Sequence, residues 1–405
     1  MIKKVKLNRL KTGPGLPKPV VSLPDCRHWT GELPCGPHKR FGVTCSSCRY
    51  YQPVQGRILL IKLGAAGDVL RSTSVLLSLR LKHPGAEIWW ITRSESIPIL
   101  VNNPNVDVVL PLEGSWTGVF ATMKFEAAYG LDMDRQAASI LMEARAKKRF
   151  GFGLDENGRV IPLTSAARTW FEMGLWDPLK RLNRKSYGEH LSEIVDVMHV
   201  SRPPILAFTE QEQSSAIQMA ERVGFRRKGF RFGIHVGGGG RWTQKQWRPD
   251  GFLDLAKKII REFPGSSVGV FGGPLEKDVL AFLSKKLKDQ AVIFGPDLPY
   301  RSFAALWGLS DLVLTGDSLA LHTALALGRR VVAYFGPTSS YEIDLYGLGE
   351  KVLPPGGCKC FYQKRCLEKI SCMDRLSPMD LLNPIRRQWR IAVEQTGLPR
   401  AQSHG

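Results

Sequence analysis

Three glycine-containing stretches of the sequence carry the side chains best suited to chemistry. They cover residues 64–68 (GAAGD), 235–247 (HVGGGGRWTQKQW) and 315–322 (TGDSLALH). Glycines let a ligand approach the backbone closely, and the N-terminus of a following helix favours an anion. The three stretches therefore predict contacts with a negatively charged ligand such as a phosphate.

Each stretch also has a purely structural interpretation. Asp68 is either a general base or the N-cap of the helix that begins there. Lys245 and Arg241 would neutralise phosphates held by the four glycines, or the segment is a flexible connection with tryptophans packed over the sheet. Ser318 and the amides after it form a diphosphate site with His322 one turn further on, or a simple cap beside a structural histidine.

The apolar patterning places these stretches at the ends of strands. Short apolar runs alternate with segments of helical periodicity, which indicates parallel, doubly wound sheets. The predicted strands are 57–63, 87–92, 106–111, 125–131, 231–236, 267–271, 291–294, 311–315 and 330–335. In such sheets ligands bind beyond the carboxyl ends of the strands. We therefore expect two Rossmann-like α/β domains that face each other across a cleft.

The order of these elements divides the chain into six parts. We expect a flexible basic arm, a cysteine-rich module, an N-terminal Rossmann-like acceptor domain, a linker, a C-terminal nucleotide-sugar-binding domain, and a final segment with cysteines and one helix. Their predicted bounds are 1–20, 21–56, 57–205, 206–230, 231–345 and 346–405. The helix of the last part is predicted at 379–395.

Three longer motifs together resemble glycosyltransferase family 9, the ADP-heptose:lipopolysaccharide heptosyltransferases and their relatives. They are IKLGAAGDVLRSTSVLLSLR from residue 61, GGGGRWTQKQWRPDGFLDLA from residue 237, and VLTGDSLALHTALALGRRVVAYFGPT from residue 313. Their order and spacing agree with the family over roughly residues 57–340. The family often has a shorter turn with Ser or Thr where this chain has 237–240, and its best-known members lack the cysteine clusters.

The resemblance implies a GT-B fold and inverting transfer from a nucleotide-diphosphate sugar, of ADP type, without a catalytic metal. The sugar would be heptose or a related one, and the acceptor an anionic cell-envelope glycan or glycolipid such as lipopolysaccharide. Asp68 would be the base that deprotonates the acceptor hydroxyl. The residues expected at the donor are Gly238, Gly239, Lys245, Asp317, Ser318, Leu319 and His322. Gly67 and Arg71 are expected at the acceptor. Apart from the resemblance, the basic stretch 180–185 indicates acceptor contact by Lys185, or it is a solvated loop.

The eight cysteines form two clusters that are separated by more than three hundred residues. The first comprises Cys26, Cys35, Cys45 and Cys48, and the second Cys358, Cys360, Cys366 and Cys372. In a cytosolic protein such clusters favour metal binding over disulfides. We expect a structural zinc ion on the first set, with His28 and His38 as alternative ligands. An iron–sulfur cluster and unligated or disulfide-linked thiols are the alternatives. The second set would be a further metal site, unless the two sets lie together in space.

The net charge of +20 indicates an anionic partner, although a solvated basic face would also account for it. The first 56 residues alone hold ten Lys or Arg against two Asp or Glu. No apolar run is long enough for a transmembrane helix, and the N-terminus lacks the apolar region of a signal peptide. We expect a cytoplasmic protein that associates peripherally with the inner face of the membrane.

Two other classes of function compete with glycosyl transfer. A nucleotide-sugar epimerase could use the same double-Rossmann scaffold, because fold alone does not determine function. A nucleic-acid-binding protein could use the basic cysteine module, and its binding would weaken with salt. The second alternative leaves the three glycine-containing stretches unexplained, so nucleic acid is the partner least expected.

Overall fold

The computed structural model describes residues 21–225, 229–238, 243–363, 365–366 and 368–396. Ahead of residue 200 the chain forms six strands: β1 Gly56–Ile61, β2 Ala86–Thr92, β3 Val108–Pro111, β4 Phe125–Gly130, β5 Ala146–Leu154 and β6 Val160–Pro162. The helices of this part are α1 Gly36–Phe41, α2 Ala66–Ser72, α3 Leu76–Lys82, α4 Ile97–Leu100, α5 Thr117–Thr122, α6 Arg135–Glu143, α7 Ser165–Leu175, α8 Asp177–Leu182 and α9 Tyr187–Ile194.

The first sheet has the strand order β3-β2-β1-β4-β5-β6. All neighbours pair in parallel except β6, which runs antiparallel to β5. The apolar run Ile58–Ile61 of β1 is fully buried, because separate hydrophobic clusters cover the two faces of the sheet. This double burial explains why the strand is a continuous apolar run and not an alternating one.

The second sheet contains six more strands: β7 Arg231–His235, β8 Ser267–Phe271, β9 Val292–Phe294, β10 Leu312–Gly316, β11 Arg330–Tyr334 and β12 Gly349–Val352. Its helices are α10 Glu210–Arg222, α11 Pro249–Glu262, α12 Lys277–Leu287, α13 Tyr300–Trp307, α14 Leu319–Ala326, α15 Cys372–Arg375 and α16 Pro378–Thr396. The strand order is β12-β11-β10-β7-β8-β9, and every pair is parallel.

Both sheets have the same topology, which is the 3-2-1-4-5-6 order of doubly wound nucleotide-binding domains. In each sheet the first strand along the chain lies beside the fourth, namely β1 beside β4 and β7 beside β10. The chain turns in opposite directions after these two strands, so a crevice opens beyond their carboxyl ends. All three glycine-containing stretches follow such a strand. The two Rossmann-like domains predicted from the sequence are therefore present.

Two segments differ from their predicted form. The predicted linker 206–230 contains the helix α10, where Thr209 and Glu212 form a capping box. The apolar pattern does not reveal this helix, because it is polar and buries only Ala216 and Ala220. The C-terminal domain also continues past its predicted end at 345, since β12 pairs with β11 and α16 packs against the same core.

Two further observations concern the ends of the chain. The predicted arm at 1–20 lies outside the described residues. Within the part that is described, no helix has both the length and the apolar character needed to cross a membrane.

Candidate active site

The glycine turn after β1 is held in place by a buried ion pair. Lys62 at the end of β1 pairs with Asp132, which follows β4. Asp132 also accepts hydrogen bonds from the backbone N–H groups of Leu63 and Gly64. A Cβ atom on Gly64 would lie 2.8 Å from both Asp132 Oδ1 and Lys62 Nζ, so a larger residue would have to displace this ion pair. The turn is thus fixed at the point where the strand order reverses.

Asp68 lies in the first turn of α2 and does not cap it. The N-cap residue is Ala65, and no side chain caps this helix end. Asp68 Oδ1 instead accepts from Arg71 Nη2 at 2.8 Å, and its side chain remains 36% exposed. Burial opposes its ionisation, yet the charges of Arg71, Lys62 and His322 keep the pKa of Asp68 below its ordinary value. The carboxylate is therefore ionised at neutral pH and partly open to the cleft.

Arg71 is held over an aromatic ring. Its guanidinium carbon lies 3.7 Å from the ring centroid of Tyr187, a cation–π contact. The Tyr187 hydroxyl in turn shares a hydrogen bond of 2.8 Å with Ser72 Oγ. The Nε atom of Arg71 is buried and has no partner among the described residues. Arg71 consequently offers one donor that a ligand in the cleft could satisfy.

Lys245 and Asp317 form the centre of the opposite side of the cleft. Lys245 ends a short 3₁₀ turn at Thr243–Lys245, and its Nζ donates to Asp317 Oδ2 at 2.7 Å and to the Asp317 carbonyl at 3.2 Å. Thr338 Oγ1 donates to the same carboxylate oxygen at 2.7 Å. Although burial works against it, Lys245 lowers the pKa of Asp317 to about 2. The pair brings the second and third glycine-containing stretches together beyond the ends of β7 and β10.

The third stretch leads into α14 as predicted. Ser318 is the N-cap residue of α14, although its side chain makes no capping hydrogen bond, and its Oγ lies 3.2 Å from Thr315 Oγ1. Leu319 is the first residue of the helix, and His322 is buried in its second turn. Burial, reinforced by the charge of Arg71, lowers the pKa of His322 to about 4. The imidazole is therefore neutral at neutral pH.

The two domains touch where the first and third stretches meet. A Cβ atom on Gly67 would lie 3.1 Å from His322 Cδ2 and 3.7 Å from Leu319 Cα. The carboxylate charge of Asp317 also acts on Asp68 across the cleft. Residues from sequence positions that are some 250 apart thus share one cleft between the domains.

The remaining predicted residues are less closely joined to this cleft. A Cβ atom on Gly238 would lie 3.0 Å from Gln246 N, so Gly238 packs against the loop that carries Lys245. Gly239 and Arg241 lie outside the described residues. Lys185 forms an ion pair with Glu193, and no described contact joins it to Asp68 or Arg71.

The basic stretch 180–185 makes contacts between the domains that its sequence did not predict. Lys180 Nζ lies 4.4 Å from the ring centroid of Tyr362, and the guanidinium carbon of Arg181 lies 5.2 Å from that of Phe361. The guanidinium carbon of Arg184 lies 4.4 Å from the ring centroid of Tyr341. These cations attach α8 and the residues after it to the C-terminal domain beside the cleft.

Sequence reasoning missed three polar residues at the wall of the cleft. Burial raises the pKa of the Glu342 carboxyl, although Arg71 opposes this shift. The Tyr362 hydroxyl donates to Glu342 Oε1 at 3.3 Å, and the backbone carbonyl of Glu342 accepts from Tyr187 N at 2.9 Å. Ser339 Oγ nearby is buried without a partner in the described part of the chain. These residues lie in irregular segments, where no periodicity or motif could have marked them.

The zinc site predicted on the N-terminal cysteines finds no support in the structure. Cys26 forms an isolated bridge with Pro53, Cys35 precedes α1, and Cys45 begins a 3₁₀ turn. His38 Nδ1 is hydrogen-bonded to the carbonyl of Val43 at 2.9 Å. In the part of the chain that the structure describes, no three His, Cys, Asp or Glu side chains are arranged to hold a metal ion, and this includes the second cysteine set.

Known proteins share the fold and, at low identity, the sequence of this chain. The chain is similar to lipopolysaccharide heptosyltransferase 1 of Campylobacter coli, with 24% identity over 302 residues that cover 71% of this chain and 85% of that protein. The structure of a family 9 glycosyl transferase from Veillonella parvula matches with a TM-score of 0.66 and 15% identity, over 83% of this chain and 98% of that one. The structure of the E. coli ADP-heptose lps heptosyltransferase II matches with a TM-score of 0.61 and 19% identity. This match covers 84% of this chain and 99% of that one.

These similarities confirm the predicted GT-B fold, in which two Rossmann-like domains face each other across a cleft. The sequence model of glycosyltransferase family 9 (heptosyltransferase) matches residues 122–369, which is more than half of the chain. The class of protein is therefore a glycosyltransferase. The protein belongs to family 9, as its three motifs predicted.

Proposed function

We propose that the protein transfers heptose or a related sugar from a nucleotide-diphosphate donor of ADP type to a lipopolysaccharide-type acceptor. The observation that carries the proposal is the meeting of an ionised carboxylate, Asp68, with the Lys245–Asp317 pair and His322 in one interdomain cleft. The relatives that support it are named as heptosyltransferases of lipopolysaccharide, and one of them as a user of ADP-heptose.

The reaction we propose is a single displacement that inverts the anomeric carbon. Asp68 takes the proton from the acceptor hydroxyl, the hydroxyl oxygen bonds to the anomeric carbon, and the bond from that carbon to the diphosphate oxygen breaks. The lowered pKa of Asp68 favours this role, because the group is deprotonated before the acceptor arrives. Its position on the domain opposite Lys245 suits attack from the side away from the leaving group.

The diphosphate gains negative charge as it leaves, and cationic groups must stabilise it. Lys245 supplies a charge that Asp317 and Thr338 hold in position. The N-terminus of α14, which begins at Leu319 after Ser318, adds its dipole. Together with Gly238 and Gly239 these groups would bind the donor, and the proposed mechanism needs no divalent metal ion. Neutral His322 would contact the donor as a hydrogen-bonding group and not as a charge.

We assign the acceptor to the side of the cleft that carries Gly67 and Arg71. The buried Nε of Arg71 and Oγ of Ser339 have no partners in the described residues, and hydroxyl or acidic groups of a glycan would satisfy them. Lys185 is left out of this assignment because it is paired with Glu193. The net charge of +20 supports an anionic glycolipid at the cytoplasmic face of a membrane as the source of the acceptor.

The test is a thermal-shift panel with ADP, GDP, UDP and CDP on the wild type and two lysine variants. A ligand that binds only the folded state stabilises it by about 2.7 kcal/mol when the free ligand concentration is a hundred times Kd. This stabilisation raises the melting temperature. ADP should raise it for the wild type and for Lys257→Ala, whose lysine is exposed on α11. The shift should be lost in Lys245→Ala. No shift with any nucleotide, or an equal shift in Lys245→Ala, would contradict the proposed donor site.

A further inference from the structure

The segment 174–182, which includes the helix α8, buries none of its residues. Large apolar side chains are nevertheless concentrated there. The exposed ones are Leu175, Trp176, Leu179 and Leu182, at 53%, 61%, 37% and 72%. A single exposed leucine is ordinary on a protein surface, whereas a group of apolar side chains with a polar rim marks an interaction site.

The cations of the same segment are directed at the C-terminal domain. Lys180 Nζ lies 4.4 Å from the ring centroid of Tyr362, and Arg181 Nη2 donates to the carbonyl of Lys359 at 3.2 Å. An amphipathic helix of a water-soluble domain normally buries its apolar face and exposes its charges. In α8 the cations make the attachment and the leucines face solvent, so the core of the protein does not account for its apolar side.

The exposed apolar side chains lie within a basic surface made by two segments that touch each other. Residues 165–185 contain five Lys or Arg against two Asp or Glu, and residues 358–375 contain the same numbers. Arg168 and Lys359 extend from these segments with side chains that are 68% and 70% exposed. Ile370 is exposed as well. The described residues of 165–185 and 358–375 are together called the docking surface.

The docking surface borders the side of the cleft to which the acceptor is assigned. Its first segment leads directly into Tyr187, whose ring centroid lies 3.7 Å from the guanidinium carbon of Arg71. In its second segment Tyr362 donates to Glu342 at the wall of the cleft. A membrane in contact with the docking surface would therefore bring the head group of a glycolipid to the acceptor side, a step that rests on the proposed function.

We propose that the docking surface binds an anionic lipid membrane. Trp176 and the leucines of α8 insert among the lipid head groups, and the surrounding cations contact the lipid phosphates. Helices that lie in the membrane interface combine an apolar side with Lys and Arg in this way, and tryptophan is enriched at that depth. A second copy of the chain is a poorer occupant, because a symmetric dimer would set two basic surfaces against each other.

The experiment is flotation of the full-length protein with lipid vesicles, without nucleotide or acceptor. Vesicles of phosphatidylcholine alone are compared with vesicles of phosphatidylcholine and phosphatidylglycerol. The wild type should float with the anionic vesicles and far less with the neutral ones. Salt should weaken this binding, because ions screen exposed charges.

A pair of matched double variants tests the apolar part of the docking surface. Trp176→Ser/Leu182→Ser should lower the partition onto anionic vesicles about tenfold, because binding in the interface scales with the apolar area that is buried. The control Leu33→Ser/Leu81→Ser replaces two side chains outside the docking surface that are exposed at 75% and 74%. It should float like the wild type.

A third variant tests the charges. Arg168→Gln/Lys359→Gln should bind anionic vesicles more weakly than the wild type, and its binding should depend less on salt. All three variants should keep the melting temperature of the wild type and the shift that ADP produces, because the replaced side chains are exposed and lie outside the donor site.

Three results would overturn the proposal. One is that the wild type does not float with anionic vesicles. Another is equal flotation of the wild type and Trp176→Ser/Leu182→Ser. The third is a wild-type oligomer in size-exclusion chromatography that this double variant converts to monomers, which would make the surface a protein interface. Since flotation uses no substrate, a failure of the proposed transferase reaction would appear in the ADP shift and not in these results.

Discussion

Replacement of Asp68 by Asn tests the proposed base without disturbing the shape of the cleft. The amide is nearly isosteric with the carboxylate, and its oxygen can still accept the hydrogen bond that Arg71 Nη2 gives Asp68 at 2.8 Å. What it loses is the capacity to take a proton from the acceptor hydroxyl. A positioned general base contributes about 10²- to 10⁴-fold to the rate, so kcat should fall by that factor. This corresponds to about 3–5 kcal/mol in the barrier.

The stability of the Asp68→Asn variant should change little. The Asp68 side chain is 36% exposed, so solvent screens its ion pair with Arg71. Pairs of this kind contribute about 0–1 kcal/mol to the free energy of unfolding. ADP binding should also be retained, because the proposed diphosphate contacts come from Lys245 and the start of α14 on the other domain.

The assay measures release of ADP from ADP-heptose in the presence of a lipopolysaccharide core acceptor that lacks heptose. The wild type, Asp68→Asn and Lys257→Ala are compared, and a thermal-shift titration with ADP is run on each. A variant that keeps kcat within about tenfold of the wild type, below the range that a general base supplies, would refute the assignment of Asp68 as the base.

Three further predictions concern the contacts around the cleft. Gly67→Ala places a Cβ atom 3.1 Å from His322 Cδ2 and should lower kcat about tenfold by displacing the two domains, whereas Gly118→Ala in α5, with nothing within 4 Å, should leave it unchanged. Asp132→Asn leaves Lys62 buried without its counter-charge, because the Asp132 and Lys62 side chains are only 10% and 5% exposed. The free energy of unfolding, measured with urea, should therefore fall by about 3–5 kcal/mol. A loss below about 1 kcal/mol, which is what an exposed pair would give, would show that the pair is not buried in solution. Burial lowers the pKa values of His235 and His322 from 6.5 to about 4. Between pH 4 and 6.5 the unfolded chain therefore binds more protons than the folded protein. The free energy of unfolding should consequently fall as the pH decreases from 6.5 to 4. The decrease should be less steep in His322→Gln, and an unchanged slope would exclude a contribution of His322.

The sequence predicts the core of the site because the fold leaves its residues little choice. A buried parallel strand must be a continuous apolar run, and the turn that follows it must be small if a ligand is to approach. Asp68, Lys245 and Asp317 follow such runs and meet in the structure. Periodicity does not show which strand ends lie close together. That arrangement was implied by the resemblance to a known family.

Other parts of the structure leave weak signals in the sequence. The helix α10 is polar and buries two small residues, so its apolar periodicity is slight; only the T-x-x-E capping box at Thr209 marks its start. The strand β12 has the sequence GEKV and is ordered by pairing with β11. Glu342 and Tyr362 approach each other from irregular segments, a contact that tertiary packing alone determines.

The contacts of the cysteines also could not be predicted from the sequence. Their clustering in the sequence favoured metal sites, yet spacing contains no information about which thiols face each other, since four cysteines allow three pairings. The structure places Cys360 Sγ 3.4 Å from Cys366 Sγ, a contact that the spacing alone did not predict.

The most direct test of the central claim is the product of a single incubation of the wild type with ADP-heptose and the heptose-free core acceptor. We predict one ADP released for each heptose linked to the acceptor, with the anomeric configuration opposite to that of the donor in the NMR spectrum of the product. Retention of the configuration would contradict the proposed single displacement by an Asp68-activated hydroxyl. Conversion of the ADP-sugar to an epimer without any linked product would contradict glycosyl transfer itself.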